Sequence, residues 1–393
     1  MNEGPITVTP ASSTTDEFRD DTLETSMRAD SCRITDQVDT QGPATDLSSS
    51  PRLAEHTTFR VGGPARTFVR ATTEAQIIET VSAADRDGVP VMVLSGGSNL
   101  LVADEGFPGT VVKIAWRGIT AQVSDCGGAF VTVNAGESWD DLVAFAVAKQ
   151  WIGVEALSGI PGLVGSTPIQ NVGAYGTEVS QTIARVRTWD RQQNKVASFA
   201  ASDCDFGYRT SRFKREPERY VVLQVSFQFE LGDLSMPIRY PELARALGVD
   251  VGHRAPLTRV REAVLAIRRS KGMVVDPDDR DSWSAGSFFT NPLLSPEQAA
   301  DLPEDAPRYP QLDGLVKTSA AWLIQHAGFD KGFGADLGSG RARLSSKHTL
   351  ALTNHSDATA ADVLTLARTV RDGVSEAFGV VLVPEPVLVG CSL

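Results

Sequence analysis

From about Thr57 onward, apolar residues recur with two periods, one suited to helices and one to strands. Thr73 and Gln76 form a capping-box pattern ahead of Ile77, Ile78, Val81 and Ala84, which share one helical face, and Gly88 with Pro90 ends that helix. Val91 to Leu94 is a short apolar run of the buried-strand kind, Thr110 to Ile114 predicts another strand, and a first small α/β unit closes near Trp116. A second unit opens with a strand over Phe130 to Val133. A helix follows from Ser138, with Asp141 as capping partner and Leu142, Val143, Phe145 and Ala146 facing inward. Tyr220 to Phe229 alternates at period two through Val221, Leu223, Val225, Phe227 and Phe229, which predicts a long strand.

Around Thr258 the pattern becomes a helix with Val260, Val264 and Ile267 on one face and Arg259, Arg261, Arg268, Arg269 and Lys271 elsewhere. This helix is expected to open a third domain. Val363, Leu364, Ala367, Val370 and Val374 mark a second amphipathic helix, and Val380 to Val383 predicts a final strand. The expected organisation is a tail over 1–50, a first unit over 51–117, a second over 118–257 joined by 378–393, and a third over 258–377.

Composition narrows the functional classes. The 393 residues carry 49 Asp plus Glu against 37 Lys plus Arg, a net charge of −12, which argues against a nucleic-acid or anionic-membrane partner. An anionic substrate would need a local basic pocket. Residues 1–50 hold ten acidic and three basic residues with Phe18 as the one aromatic, the composition of a disordered tail; a regulatory arm, or residues upstream of a start at Met27, are its alternative readings. Cys32, Cys126, Cys204 and Cys391 form no CxxC pair, and the five histidines show no metal-ligand spacing, so neither a zinc site nor any other metal is expected. No apolar run approaches the roughly 20 residues that span a bilayer. The expected setting is a reducing cytoplasm, and the expected state a monomer.

Two glycine-rich stretches carry candidate chemistry. Ser95-Gly96-Gly97-Ser98-Asn99 follows a buried strand, so its amides and hydroxyls can surround an anion such as a pyrophosphate; a plain tight turn is the alternative. It matches neither GxGxxG nor a P-loop. The run from Ser158 to Gly176 is long for a structural turn and suits a loop wrapping a flat polar ring, with Gln170 and Asn171 as amide partners.

These stretches, SGGSNLLV (95–102) and SGIPGLVGSTPIQNVGAYG (158–176), are followed by FGYRTSRFK (206–214), GSFFTNP (286–292) and VPEPVLVG (383–390). Together, in this order and over residues from about 57 to the C-terminus, they resemble the UDP-N-acetylenolpyruvoylglucosamine reductase family in its larger form. The resemblance implies an α+β and α/β molecule: a two-subdomain FAD-binding fold of the vanillyl-alcohol-oxidase type plus an α+β substrate-binding domain. It implies FAD as noncovalent cofactor, NADPH as reductant and a UDP-sugar as substrate.

By motif match, the FAD contacts would be Arg60, Gly96, Gly97, Ser98, Asn99, Gly159, Ile160, Gly165, Ser166, Gln170, Gly173 and Tyr175. The catalytic group would be Ser287 as proton donor with Arg209 and Glu385 on the substrate carboxylate. Tyr240, Arg268, Lys271, Asn291, Tyr309, Lys331 and His348 would bind the sugar nucleotide, His348 standing where the family has an amide. These residue types suit the reaction. Hydride addition to C3 of an enolpyruvyl group needs a cation or acid on its carboxylate, a proton donor at C2 and a rigid hydride source. Taken without the resemblance, Arg209 reads as a surface ion-pair former, Ser287 as a turn serine and the basic helix as a solvated face.

Overall fold

The structure is a computed structural model that describes residues 37–38, 51–311 and 313–393. The expected tail therefore lies outside the described residues except at Gln37–Val38 (β1). Contrary to the expectation of disorder there, β1 pairs antiparallel with Ile119 and Thr120.

Strands β2 (Ala65–Ala71), β3 (Val91–Leu94), β4 (Leu100–Val102) and β5 (Phe107–Ile114), with helix α1 (Glu74–Arg86), build the first unit. Here β2, β5 and β3 form a parallel three-stranded sheet, the crossovers putting α1 on one face through Ile77, Val81 and Ala84. Thr73 caps α1 as expected by accepting from Gln76 N at 3.2 Å. The Gln76 side chain reaches one residue further back, accepting from Thr72 N at 2.8 Å.

The second unit is an antiparallel sheet in which β6 (Ile119–Ser124), β7 (Gly128–Asn134), β8 (Ile183–Asp190), β9 (Lys195–Ala200) and β10 (Tyr220–Leu231) lie in the order β1-β6-β7-β10-β8-β9. Helix α2 (Trp139–Ala148) covers it, its Leu142, Val143 and Ala146 buried with Val225, Phe227 and Phe229 of β10. Ser138 accepts from Asp141 N at 3.3 Å, so half of the expected capping box forms.

The alternation in β10 lets the strand serve two cores: Val221 and Leu223 pack with α1 and β5, joining the two units. Two bidentate ion pairs strengthen that joint. Arg187 grips Glu74 at 2.6 and 2.7 Å, and Arg191 grips Asp85 at 2.6 and 3.0 Å.

Four expectations about the C-terminal half change. Helix α4 (Leu257–Ser270) does not open the third domain. It packs on α3 (Pro241–Leu247) through Val260, Val264, Leu243 and Leu247, and Leu257 reaches Val147 of α2. Arg268 lies on the buried face rather than among the exposed cations, because 260, 264 and 268 follow at intervals of four; it is 8% exposed. Val380 to Val383 is not a strand. Val381 and Val383 are 62% and 59% exposed, and the final strand is β11 (Val387–Val389).

That last strand does not join the second unit. It pairs parallel with β4, closing the first one. The third domain's core runs from Ala285 to Leu382 around α5 (Ala320–His326) and α6 (Ala360–Phe378), and it takes in Phe59, Val61 and Leu101 from the first unit. All three bodies thus meet around the two glycine-rich loops. Among the described residues, no helix is long and apolar enough to cross a membrane.

Candidate active site

The loop Ser95–Asn99 leaves β3 and runs straight into β4, so parallel pairing on both sides fixes its ends. Gly97 adopts φ +64°, and a Cβ there would lie 2.0 Å from the His56 carbonyl oxygen. A Cβ on Gly96 would lie 2.5 Å from Gly162 Cα. The two glycine-rich loops therefore meet backbone to backbone. Side chains stitch them together: Ser98 Oγ donates to Pro161 O at 3.0 Å, and Asn99 Nδ2 donates to Gln170 Oε1 at 2.9 Å and to Glu385 O at 3.2 Å. Beneath the loop, Lys113 Nζ donates to Ser95 O. Burial, helped by Arg70, lowers the Lys113 ammonium to about 8.

Between the loops opens a cavity of about 570 Å³, in the size range of cofactor sites. Its walls extend from Arg191 and Glu218 past both loops to Arg209, Glu385 and Ser287. The cavity fits FAD on two observations besides its size. Ser95 Oγ and Arg268 Nε, both on its lining residues, are buried with no hydrogen-bond partner, so two polar groups await a polar ligand. The paired loops also present mostly backbone, which permits the close approach a flat ring system requires.

Gly207 and Thr210 exchange backbone hydrogen bonds, which places Arg209 at the tip of a tight turn with φ +52°, a conformation sparse for a residue with a side chain. Its Nη2 donates to Gly173 O at 2.8 Å and its Nε sits 3.0 Å from Glu385 Oε1. Both side chains are mostly buried, at 23% and 14% exposure. Burial pushes the Glu385 carboxyl above its usual range, against the pull of Arg209 and Lys214. Lys214 donates to Arg209 O at 2.9 Å; burial lowers its ammonium, Glu385 opposing and Arg209 adding to that effect.

Ser287 follows Gly286, whose φ is +72°, and precedes two fully buried rings, Phe288 and Phe289. Phe288 is locked on both sides: its N–H donates to Leu350 O at 2.7 Å and its carbonyl accepts from Glu385 N at 2.8 Å. Ser287 and Glu385 are thereby held in register across one backbone bond. The Ser287 hydroxyl, half-buried, has no hydrogen-bond partner among the described residues and lines the cavity.

Of the other expected positions, Gly96, Gly97, Ser98, Asn99, Ile160, Gly165, Ser166, Gln170, Gly173 and Arg268 line the cavity as well. Arg60, Gly159 and Tyr175 do not. Arg60 lies over the Trp283 ring at 4.9 Å, and Gly159 N donates to Asp140 at 2.6 Å. Tyr175 meets the Tyr240 ring edge-on at 5.6 Å. Asn171, expected to offer its amide, spends it on Glu178, Gly207 and Ser180 and is a buried scaffold residue.

Six residues expected to bind the sugar nucleotide, Tyr240, Lys271, Asn291, Tyr309, Lys331 and His348, stand outside the cavity lining. Most of them gather on one flank. Tyr309 is near enough to Tyr240 to influence its phenol, and burial, then Lys271 and Lys331, lowers the His348 imidazole to about 4, which keeps it neutral at pH 7. Asn291 is used differently: its side chain accepts from Ala320 N at 3.0 Å at the start of α5.

Sequence reasoning passed over Lys113, Lys214 and Glu242. A lysine inside the apolar run of β5 was a signal for the first, and the FGYRTSRFK motif contained the second. Glu242, ion-paired to Lys271 at 2.6 Å, left no signal that could be read before the fold was known. Among the described residues, no cluster of metal-binding side chains is present.

Comparisons with known proteins show the family. The family model for an FAD binding domain matches residues 65–196, and that for the C-terminal domain of UDP-N-acetylenolpyruvoylglucosamine reductase matches 276–389. A UDP-N-acetylenolpyruvoylglucosamine reductase from Cutibacterium acnes is 60% identical over 341 residues, covering 87% of this chain and 90% of its own. One from Streptomyces coelicolor is 52% identical over 362 residues, covering 89% and 92%. The crystal structure of UDP-N-acetylenolpyruvylglucosamine reductase from Thermus caldophilus shares the fold, with a TM-score of 0.58 at 24% identity, over 91% of this chain and 99% of that one. With its FAD-binding unit, its C-terminal domain and relatives this similar over most of their length, the chain belongs to the family of UDP-N-acetylenolpyruvoylglucosamine reductases, FAD-dependent oxidoreductases.

Proposed function

We propose that the enzyme uses NADPH to reduce bound FAD and then reduces the enolpyruvyl group of UDP-N-acetylglucosamine enolpyruvate, giving UDP-N-acetylmuramate for peptidoglycan synthesis. The single observation that carries the mechanism is the convergence of Ser287, Arg209 and Glu385 on one cavity walled by both glycine-rich loops. FAD, when bound, supplies a two-electron carrier between the two substrates. Gly96, Gly97, Ser98, Asn99, Ile160, Gly165, Ser166, Gln170 and Gly173 would hold it.

The protein's own residues then act on the enolpyruvyl group. Hydride adds to C3, the C2–C3 π electrons move to C2 and onto the carboxylate, and C2 takes a proton from Ser287 Oγ, which solvent replaces. Arg209 binds the carboxylate, its charge stabilising the enolate that builds up there. In doing so it shares its guanidinium between two carboxylates, the substrate's and that of Glu385. The Glu385 carboxyl, already raised by burial, loses part of the pull that opposed protonation and becomes the neutral acid beside the developing anion.

The net charge of −12 and free Cys126, Cys204 and Cys391 accord with a cytoplasmic enzyme of small molecules that has no nucleic-acid partner. Anaerobic stopped-flow absorbance tests the assignment. NADPH is expected to bleach the flavin of the purified holoenzyme, and the enolpyruvyl sugar nucleotide to restore its colour. Failure of either step would remove the proposal.

A further inference from the structure

The flank that gathers Tyr240, Lys271, Lys331 and His348 contains one carboxylate that the reaction does not use. Glu242, in the first turn of α3, reaches Lys271 at the end of α4, its Oε2 2.6 Å from Nζ. The pair is half-open to solvent, the side chains being 38% and 27% exposed. Glu242 sits centrally on this flank, because its charge is felt at Tyr175, Tyr240 and His348 alike. Lys271 directly precedes Gly272 and Met273, which line the cavity, and Arg268 lies one turn before it. The carboxylate therefore occupies a cation that adjoins the cavity's lining residues on this side.

We propose that Glu242 is an anionic placeholder for the diphosphate of the sugar nucleotide on Lys271. The inference rests on the reading of Lys271 as a diphosphate-binding cation. With the cleft free of substrate, Glu242 neutralises Lys271, so that the site does not present a bare ammonium to chloride or inorganic phosphate. A diphosphate brings two charges and several acceptor oxygens to a lysine that otherwise holds a single carboxylate, and it displaces Glu242, which is exposed enough to swing into water. Small monoanions do not offset the loss of the ion pair. The device raises selectivity at the cost of some affinity.

Two predicted consequences separate this from a purely structural ion pair. Glu242→Gln leaves Lys271 charged and unpaired, so the oxidised holoenzyme should bind the enolpyruvyl sugar nucleotide and UDP about twofold to fivefold more tightly by calorimetry or flavin difference spectra. Inorganic phosphate is expected to compete poorly against the parent enzyme and more strongly against the variant. Glu242→Asp, too short to reach Lys271, should behave in the same direction, which keeps the test valid should one variant fold badly. In a Lys271→Ala background, Glu242→Gln should have a smaller effect on binding, limited to relief of the carboxylate's repulsion of the diphosphate.

The outcomes are distinguishable. If Lys271→Ala leaves sugar-nucleotide affinity unchanged, the reading of Lys271 as a diphosphate ligand is wrong. If Lys271→Ala weakens binding but both Glu242 variants bind no more tightly than the parent, or more weakly, the placeholder is wrong and Glu242 merely positions the lysine.

Discussion

Ser287→Ala is expected to leave the reduction of bound flavin by NADPH at its parental rate and to slow reoxidation by the enolpyruvyl sugar nucleotide by about 10²- to 10⁴-fold, the usual contribution of a positioned proton donor. The reason lies in the geometry around Phe288. Its two backbone hydrogen bonds, to Leu350 and Glu385, hold the serine without calling on the hydroxyl, so removal of Oγ should disturb neither the fold nor the flavin site. Among the described residues the hydroxyl has no hydrogen-bond partner, as suits a group that must deliver its proton to substrate. Rapid-mixing absorbance of the two half-reactions checks the split. Equal slowing of both steps would assign Ser287 a structural part and leave the proton donor unidentified.

Arg209→Ala is expected to be nearly as damaging, with a fall in kcat of about 10²- to 10³-fold. Two effects combine. The enolate loses its cation, and Glu385 is left in a buried position without the guanidinium that held it 3.0 Å away, so its carboxyl rises further and it is neutral over a wider pH range. The sign is definite: Arg209 lowers the Glu385 pKa, so its removal moves protonation toward higher pH. Added guanidinium ion should restore part of the rate, since the Gly173 carbonyl and the Glu385 carboxylate that bind the headgroup remain in place. Arg209→Lys should fall short of that rescue, because a lysine cannot bridge Gly173 O and Glu385 at once. Steady-state kinetics with and without guanidinium separates a lost charge from a collapsed loop, which added cation would not repair.

The parts of the molecule that sequence made legible are those whose causes are local. The glycine loops could be read because Gly96 and Gly97 permit backbone contacts that any side chain would block, and the caps at Thr73 and Ser138 because they act within one turn. Long-range choices were hidden. The apolar run Val380 to Val383 has strand composition, yet the parallel pairing with β4 is taken by Val387–Val389, further along the chain, a choice of register that composition does not encode. Helix α4 carries the same apolar face whether it packs on α2 and α3 or opens a new domain, and the pattern alone does not choose.

The candidate site divides along the same line. Ser287, Arg209 and Glu385 were found through motifs whose residue types suit the chemistry, and the fold brings them to one cavity. Arg268 is a sugar-nucleotide candidate by the resemblance and lies off the apolar face in the helical pattern, although its spacing from Val260 and Val264 marks it as inward-facing. Tyr175, in the second glycine-rich loop, packs on Tyr240 and Arg60 on Trp283 and neither lines the cavity, because sequence fixes the backbone path and tertiary neighbours decide the rotamer. Glu242 belongs to no motif at all; only the contact between α3 and α4 gives it meaning.

The convergence of three side chains on one reacting group is tested most directly by a crystal structure of the oxidised holoenzyme with the enolpyruvyl sugar nucleotide bound, a complex that cannot turn over. The enolpyruvyl carboxylate should lie on Arg209 and beside Glu385, with C3 facing the flavin and Ser287 Oγ within about 3–3.5 Å of C2. An enolpyruvyl group seated away from Ser287, or a carboxylate held by cations other than Arg209, would contradict the account.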